Sequence, residues 1–295
     1  MVIVRTGTGN RPGALDPPRA RREVRGKSRA RRRQAMSAPE TASPPIPSAT
    51  EADADEAAIR RARVDFAAVH RIIVHENMHE GTWNHLSCKV PGRPGHLLIS
   101  PGRTHFSRVT ASNLVEVNAD GRSVGGEGRL NVSAWAIHAP IQRARPDVTC
   151  ALHVHPPYST ALASIDGWEF DERGSQNAAI FYGNCAYFGY EGIVTEADEG
   201  ERMVEALGDK RVLFLANHGV LMVGDTIEKT MLWLYQLERA CMNEMLALQS
   251  GGKIRPIPVE AARYNAALSA YAVGEAGYLD GMKDVLDADG QDYAT

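Results

Sequence analysis

The sequence predicts an α/β fold: one domain built on a mixed sheet with helices on both faces. Three observations carry this. Short apolar runs of strand length alternate with stretches whose apolar residues recur at i, i+3 and i+4. Turn-forming pairs punctuate the runs at Pro91-Gly92, Pro101-Gly102 and Asp120-Gly121. Along the 295 residues the sequence shows neither an internal repeat nor a second apolar core.

Residues 1–35 hold eleven Lys/Arg against two Asp/Glu, together with Pro and Gly and no apolar periodicity. Such a stretch buries too little apolar area to offset its ordering entropy, so a disordered basic, Pro-rich tail is expected over residues 1–53. The run Arg29-Ala30-Arg31-Arg32-Arg33 suits nucleic acid in principle. Met36-Ser37-Ala38 looks like a natural start, however. That makes residues 1–35 an upstream extension of the reading frame, and no nucleic-acid partner is expected. The segment lacks the apolar core of a secretory signal, and its prolines argue against a transit-peptide helix. The folded domain is expected over residues 54–295, with a helical extension at its C-terminal end.

Within that domain a helix is expected from about Asp55 to Met78, with Ile59, Ala62, Phe66, Val69, Ile72 and Ile73 on one face. Leu86–Val90 and His96–Ser100 read as paired strands, and Asn113–Asn118 as a third. Ser133–Arg145 reads as a helix capped by Ser133, with Trp135, Ile137 and Ile141 inward. A buried strand follows at Val148–His155, then a short helix at Tyr158–Ser164. Residues 165–195 read as strand and loop, with Phe181, Tyr182, Tyr187, Phe188 and Tyr190 in core or interface. Glu196–Leu207 is a helix, Arg211–Ala216 and Val220–Val223 are strands, and Thr226–Gln249 is a long amphipathic helix. Beyond it the chain is helical or irregular.

Net charge is −3 and hydrophobic content 43%, as in a globular protein with a sizeable core. Cys88, Cys150, Cys185 and Cys241 are widely separated, which indicates neither a cysteine-rich zinc site nor a disulfide framework. A reducing, cytoplasmic setting is expected. The apolar runs fall well short of the ~20 residues that cross a bilayer, so no membrane partner is expected.

The chemistry gathers at Cys150-Ala151-Leu152-His153-Val154-His155-Pro156-Pro157. Residues i and i+2 of a strand share a face, so His153 and His155 aim two imidazoles at one region. A second apolar strand ends in His218-Gly219. Two histidines at strand spacing plus a distant third form the ligand set of a metal site with an open position. Taken alone, the His-x-His pair reads first as ordinary polar residues at a strand end; the second strand–His–Gly element tips the reading to the metal.

The order of these features is Gly81-Thr82-Trp83-Asn84-His85-Leu86-Ser87, Pro101-Gly102, Asp120-Gly121, a helix with Trp135, His153-x-His155, then Asn217-His218-Gly219 before a long helix. It resembles the class II aldolase/adducin family across residues 55–250. The resemblance implies a three-layer α/β/α fold with a mixed central sheet. It implies a homotetramer with active sites between subunits. It also implies a divalent metal held by His153, His155 and His218. Zinc is expected, and Fe2+, Mn2+ and Co2+ suit the same ligands. The implied chemistry is polarisation of a substrate carbonyl or enolate oxygen.

The departures from the family matter as much. Sugar-phosphate aldolases of the family carry a Ser-Ser-Glu-Trp-like stretch whose acid moves the proton; here Val132-Ser133-Ala134-Trp135 has no acid. Their phosphate loop has small residues where this chain has Trp83 and His85. His85, His105 and Tyr158 remain as candidates for the general acid or base. Thr82 and Asn84 of the loop, with Arg103, are candidates for holding substrate, and Arg103 suits a carboxylate. Each is also what a surface or supporting residue looks like. The expected function is a metal-dependent carbon–carbon lyase. It acts on a non-phosphorylated, carboxylate-bearing small molecule, by retro-aldol cleavage or decarboxylation. A non-catalytic adducin-like interaction domain and an iron-dependent oxygenase on the same histidines are the alternatives. Convergent imidazoles favour an enzyme.

Overall fold

The computed structural model describes residues 49–192, 197–272 and 277–295. The expected disordered tail and the proposed start at Met36 lie outside the described residues as far as residue 48. The first helix, α1, runs Ala49–His75 and so begins inside the stretch expected to be tail. Residues 49–56 contain no proline, so nothing in that stretch blocks a helix.

Among the described residues eight strands form one sheet: β1 His85–Lys89, β2 Leu97–Ile99, β3 Val115–Val117, β4 Ser123–Gly125, β5 Cys150–Val154, β6 Cys185–Phe188, β7 Val212–Leu215 and β8 Gly219–Gly224. Their order is β4-β3-β2-β1-β5-β8-β7-β6. Only β6 and β7 pair in parallel; the other neighbours are antiparallel, so the sheet is mixed as expected. The remaining helices are α2 Val132–Ala144, α3 Pro157–Ala163, α4 Gln176–Ala179, α5 Ala197–Leu207, α6 Ile227–Gln249, α7 Val259–Ala272 and α8 Tyr278–Ala288.

The strand alternation sorts two cores. Cys150, Leu152 and Val154 of β5 pack with Phe66, Ile72, Leu234 and Leu237 of α1 and α6. Ala151 of the same strand faces Ile137 and Ile141 of α2 and Met203 and Leu207 of α5. This is the three-layer arrangement. α2 and α5 approach so closely that a Cβ on Gly200 would stand 2.1 Å from the Ala136 carbonyl oxygen. The α2 cap is Asn131, not Ser133: its extended backbone places Oδ1 3.1 Å from the Ser133 amide, and the helix has already begun at Val132. Trp135 is only half-buried, whereas Ile137 and Ile141 are inward as expected.

Candidate metal centre

β5 and β1 place the first histidines. His153 and His85 are directly opposite partners across these strands, so both project on the α2 face. The observed strand ends at Val154, one residue before the expected limit. His155 therefore stands just past the strand, and Pro156 and Pro157 turn the chain into α3. Glu238 of α6 anchors that turn by accepting the Tyr158 and Ser159 amides at 2.7 and 3.0 Å. His218 arrives from the turn between β7 and β8, where Asn217 takes a left-handed φ of 54°. Gly219 lets the two ends meet. A Cβ there would lie 2.5 Å from the Val154 carbonyl oxygen and 2.6 Å from the His155 ring.

The result is a compact triangle of imidazoles. Ring centroids are 4.9 Å apart for His153–His155, 4.8 Å for His153–His218 and 4.7 Å for His155–His218. One ligand nitrogen from each lies within 4.8 Å of the others. The hydrogen bonds fix two of these nitrogens, those of His153 and His155. His153 Nδ1 is 3.1 Å from the Val220 carbonyl oxygen, which only accepts, so Nδ1 carries the hydrogen. His155 Nδ1 is 2.5 Å from Glu80 Oε2. Both rings therefore turn Nε2 inward, and these two atoms are 3.2 Å apart. Two bare lone pairs at that distance repel unless a cation lies between them. Tetrahedral coordination at about 2.05 Å would hold two nitrogens about 3.3 Å apart, so the spacing fits a divalent ion.

Burial opposes protonation of two of the three, His153 and His218. It pushes His153 well below the usual histidine range, with His85, His155 and His218 adding to the effect. His218 is lowered to about 4 by burial and then by His155, against an opposing pull from Glu80. Neutral imidazoles are what a metal requires.

The centre opens into a cavity of 410 Å³ lined by Glu80, Trp83, His85, Ser133, Thr160 and Tyr190 beside the three histidines. A second cavity of 620 Å³ shares Trp83 and Ser133 and is lined by Thr82, Arg103, Arg129 and Asn131.

The family model for the class II aldolase and adducin N-terminal domain matches residues 64–245, more than half of the chain. The chain belongs to the class II aldolase and adducin family. A Caulobacter vibrioides protein described as aldolase class 2 is 34% identical over 196 residues, covering 65% of this chain and 74% of that one. An aldolase II superfamily structure from Pseudomonas syringae superposes with a TM-score of 0.73 at 34% identity, covering 81% of this chain and 96% of that chain. L-fuculose 1-phosphate aldolase from Glaciozyma antarctica PI12 gives 0.71 at 28% identity, over 85% and 96%. Other relatives include a 4-hydroxy-3-prenylphenylpyruvate oxygenase/4-hydroxy-3-prenylbenzoate synthase of Streptomyces roseochromogenus and alpha-adducin of Rattus norvegicus.

Within this aldolase/adducin fold, the structure brings His153, His155, His218 and His85 around one cavity. Thr82 and Arg103 line the adjoining one. Asn84 is buried beneath the loop, where its Oδ1 accepts the Glu80 amide at 2.6 Å, so it shapes the loop that carries Glu80. Tyr158 lies elsewhere: it packs on the α1/α6 core and lines a small separate cavity with Tyr235 and Glu238. His105 caps a short turn at Phe106–Arg108 and stands edge-on to His79, outside the lining of both cavities. Tyr158 is not brought to the histidines of its own chain because strand β5 ends before it and the chain then turns toward α6, and His105 is held by the Phe106–Arg108 turn between β2 and β3. Ala134 is fully buried against β2 and β3. Sequence reasoning missed Glu80, Thr160 and His138. Glu80 lies 75 residues from its partner His155, and no local pattern ties the two together.

Proposed function

We propose that this chain is a metal-dependent carbon–carbon lyase acting on a non-phosphorylated, carboxylate-bearing small molecule, by retro-aldol cleavage or decarboxylation. The observation that carries the reading is the inward turn of the His153 and His155 Nε2 lone pairs, fixed by Val220 and Glu80. An interaction domain has no use for such a set, which weighs against the adducin-like alternative. Zinc is the ion proposed; Fe2+ would also be accepted, and with it the oxygenase chemistry named for the Streptomyces relative. When bound, the ion supplies Lewis-acid polarisation of a substrate carbonyl or enolate oxygen.

The protein's own groups divide the remaining work. Glu80 and the Val220 carbonyl hold the ligand rings in register. Arg103 and Arg129 line the cavity beside the centre, and the role proposed for them is to hold a carboxylate through paired N–H donors. Ser133 and Trp83 join the two cavities, so one substrate spans both. The absence of an acid at Ala134 separates the proposed reaction from sugar-phosphate cleavage. Trp83, Val132 and Tyr190 stand 67%, 72% and 57% exposed around the mouth. Exposed apolar groups at that place support a homotetramer with neighbouring subunits closing the site. A cytoplasmic location belongs to the same proposal; among the described residues all four cysteines are free, and no helix is long and apolar enough to cross a membrane.

The test is elemental analysis of the purified protein. It is followed by assay of Zn-, Fe-, Mn- and Co-loaded samples against a panel of hydroxy- and keto-acids, with fuculose 1-phosphate as comparison. One ion per chain, lost in His155→Ala, with cleavage or decarboxylation of an acid, is the expected outcome. Full metal in His155→Ala, or efficient cleavage of fuculose 1-phosphate, contradicts the proposal.

A further inference from the structure

Behind the three histidines, the α2 face of the sheet carries a buried polar chain. His138 of α2 is fully buried. Its Nε2 lies 3.1 Å from the His85 carbonyl oxygen and 3.0 Å from His85 Nδ1. A carbonyl oxygen only accepts, so the His138 hydrogen is on Nε2. Its Nδ1 then has a lone pair and takes the Ser87 hydroxyl hydrogen across 2.8 Å. Ser87 Oγ accepts in turn from Gln142 Nε2 at 3.1 Å. The same amide nitrogen reaches the Thr149 carbonyl oxygen at 3.4 Å, which fixes the orientation of the Gln142 side chain. Complete burial opposes a second proton on His138 and takes it down to about 4. Every hydrogen in the chain therefore points toward His85.

The last link fixes the His85 ring. Its Nδ1 faces the N–H of His138 and must offer a lone pair, because two N–H groups face to face would leave both donors unsatisfied in a buried place. The neutral ring then carries its hydrogen on Nε2. Among the described residues Nε2 has no protein partner, and it is the nitrogen left for the cavity that His85 lines. A metal ligand needs a bare lone pair, which this edge lacks, although the ring centroid is only 4.9 Å from that of His153.

We propose that the chain Gln142–Ser87–His138 locks His85 as the Nε2–H tautomer, making it a hydrogen-bond donor to an anionic substrate oxygen at the centre and excluding it as a fourth ligand. His138 is the positioning residue in this arrangement. The donor role rests on the metal-centred reading given above; the tautomer does not.

The tautomer is read by long-range proton–nitrogen correlation on metal-free protein labelled with 15N-histidine, His85 being assigned from the signals missing in His85→Phe. The wild type should show a protonated Nε2 and a bare Nδ1 at His85. His138→Phe should give a mixture of tautomers. His138→Gln, whose amide N–H reaches the same place, should restore the single form. A hydrogen on Nδ1 of wild-type His85, or an unchanged single tautomer in His138→Phe, overturns the proposal. If His138→Phe does not fold, Ser87→Ala replaces it: a mixed His138 tautomer there supports the chain, and an unchanged one overturns it.

The donor role is read by titrating zinc-loaded protein with oxalate. His85→Phe should bind oxalate about ten-fold or more weakly, the scale of a hydrogen bond to a charged group, with zinc content unchanged. Loss of zinc in His85→Phe, or unaltered oxalate affinity, overturns the donor. A wild type that takes up no zinc sinks the metal reading and leaves the tautomer result standing.

Discussion

At the scale of single residues, Glu80 decides how His155 presents itself. Its carboxylate holds Nδ1–H and leaves Nε2 bare toward the other two rings. Glu80 is itself placed by its backbone amide, which donates to the buried Asn84. Removing the charge in Glu80→Gln should weaken metal affinity by about 10–100-fold while leaving the fold intact, the usual range for losing such a support. Competition with a chromophoric chelator measures this directly; an affinity equal to wild type would mean that the carboxylate does not orient the ring. The three ligand histidines were legible because strand spacing and strand ends leave a trace in the sequence. Glu80 and His138 were not, because each reaches its neighbours only after distant segments have folded together; Thr160, close to His155 in the chain, looks like any threonine of a short helix. His138 belongs to a helix and touches β1, which lies 53 residues earlier.

At the scale of elements, the meeting of β5 with β8 sets the centre. The pairs His153↔Leu221 and Val154↔Val220 align the end of one strand with the beginning of the other. That alignment brings the β7–β8 turn against His155, with only glycine able to stand between them. Gly219→Ala should displace the turn, destabilise the protein by about 1–3 kcal/mol as overpacking does, and lower metal content along with it. Thermal melting and elemental analysis of the variant give both readouts, and a variant with normal stability and full metal would rule out the close approach. The sequence exposed the long elements well. Helix α6 begins at the cap Thr226 and runs to Gln249, as its pattern indicated, because capping and amphipathic period agree there. Strand β4 escaped notice because Ser123 and Val124 are exposed and lack an alternating apolar face. The α2 cap was misplaced by two residues, since both Asn131 and Ser133 are good capping types and only the backbone separates them.

At the scale of the whole molecule, the two-faced sheet buries histidines as structural groups, and this makes stability depend on pH. The order of strands could not be read from sequence because pairing partners are set by tertiary packing. The apolar faces could, and with them the expectation of a layered core. His70 of α1 sits in that core, fully buried, with Nδ1 2.7 Å from the Phe66 carbonyl oxygen and Nε2 2.8 Å from Ser100 Oγ. Burial lowers it to about 3, and burial lowers His138 to about 4. In the unfolded chain each titrates near ~6.5. Above that value neither state binds these protons, so the groups leave stability unaffected. As pH falls below it, the unfolded chain takes up protons that the folded chain refuses, and stability drops until the folded values are reached. Each group approaches a slope of about 1.4 kcal/mol per pH unit inside this window, and the pair together gives about 2–2.5 kcal/mol per unit between pH 6 and 4.5. His153 and His218 act in the same direction once metal is stripped. Against a typical total of about 5–15 kcal/mol, this is a large share of the stability of the metal-free protein. Urea unfolding of chelator-treated protein at several pH values should therefore show a steep loss of stability below pH 6.5, and His70→Gln, if it folds, should make the curve shallower. A flat curve down to pH 4.5 would mean that these rings accept protons inside the fold, and the assignment of both as neutral core donors would fail.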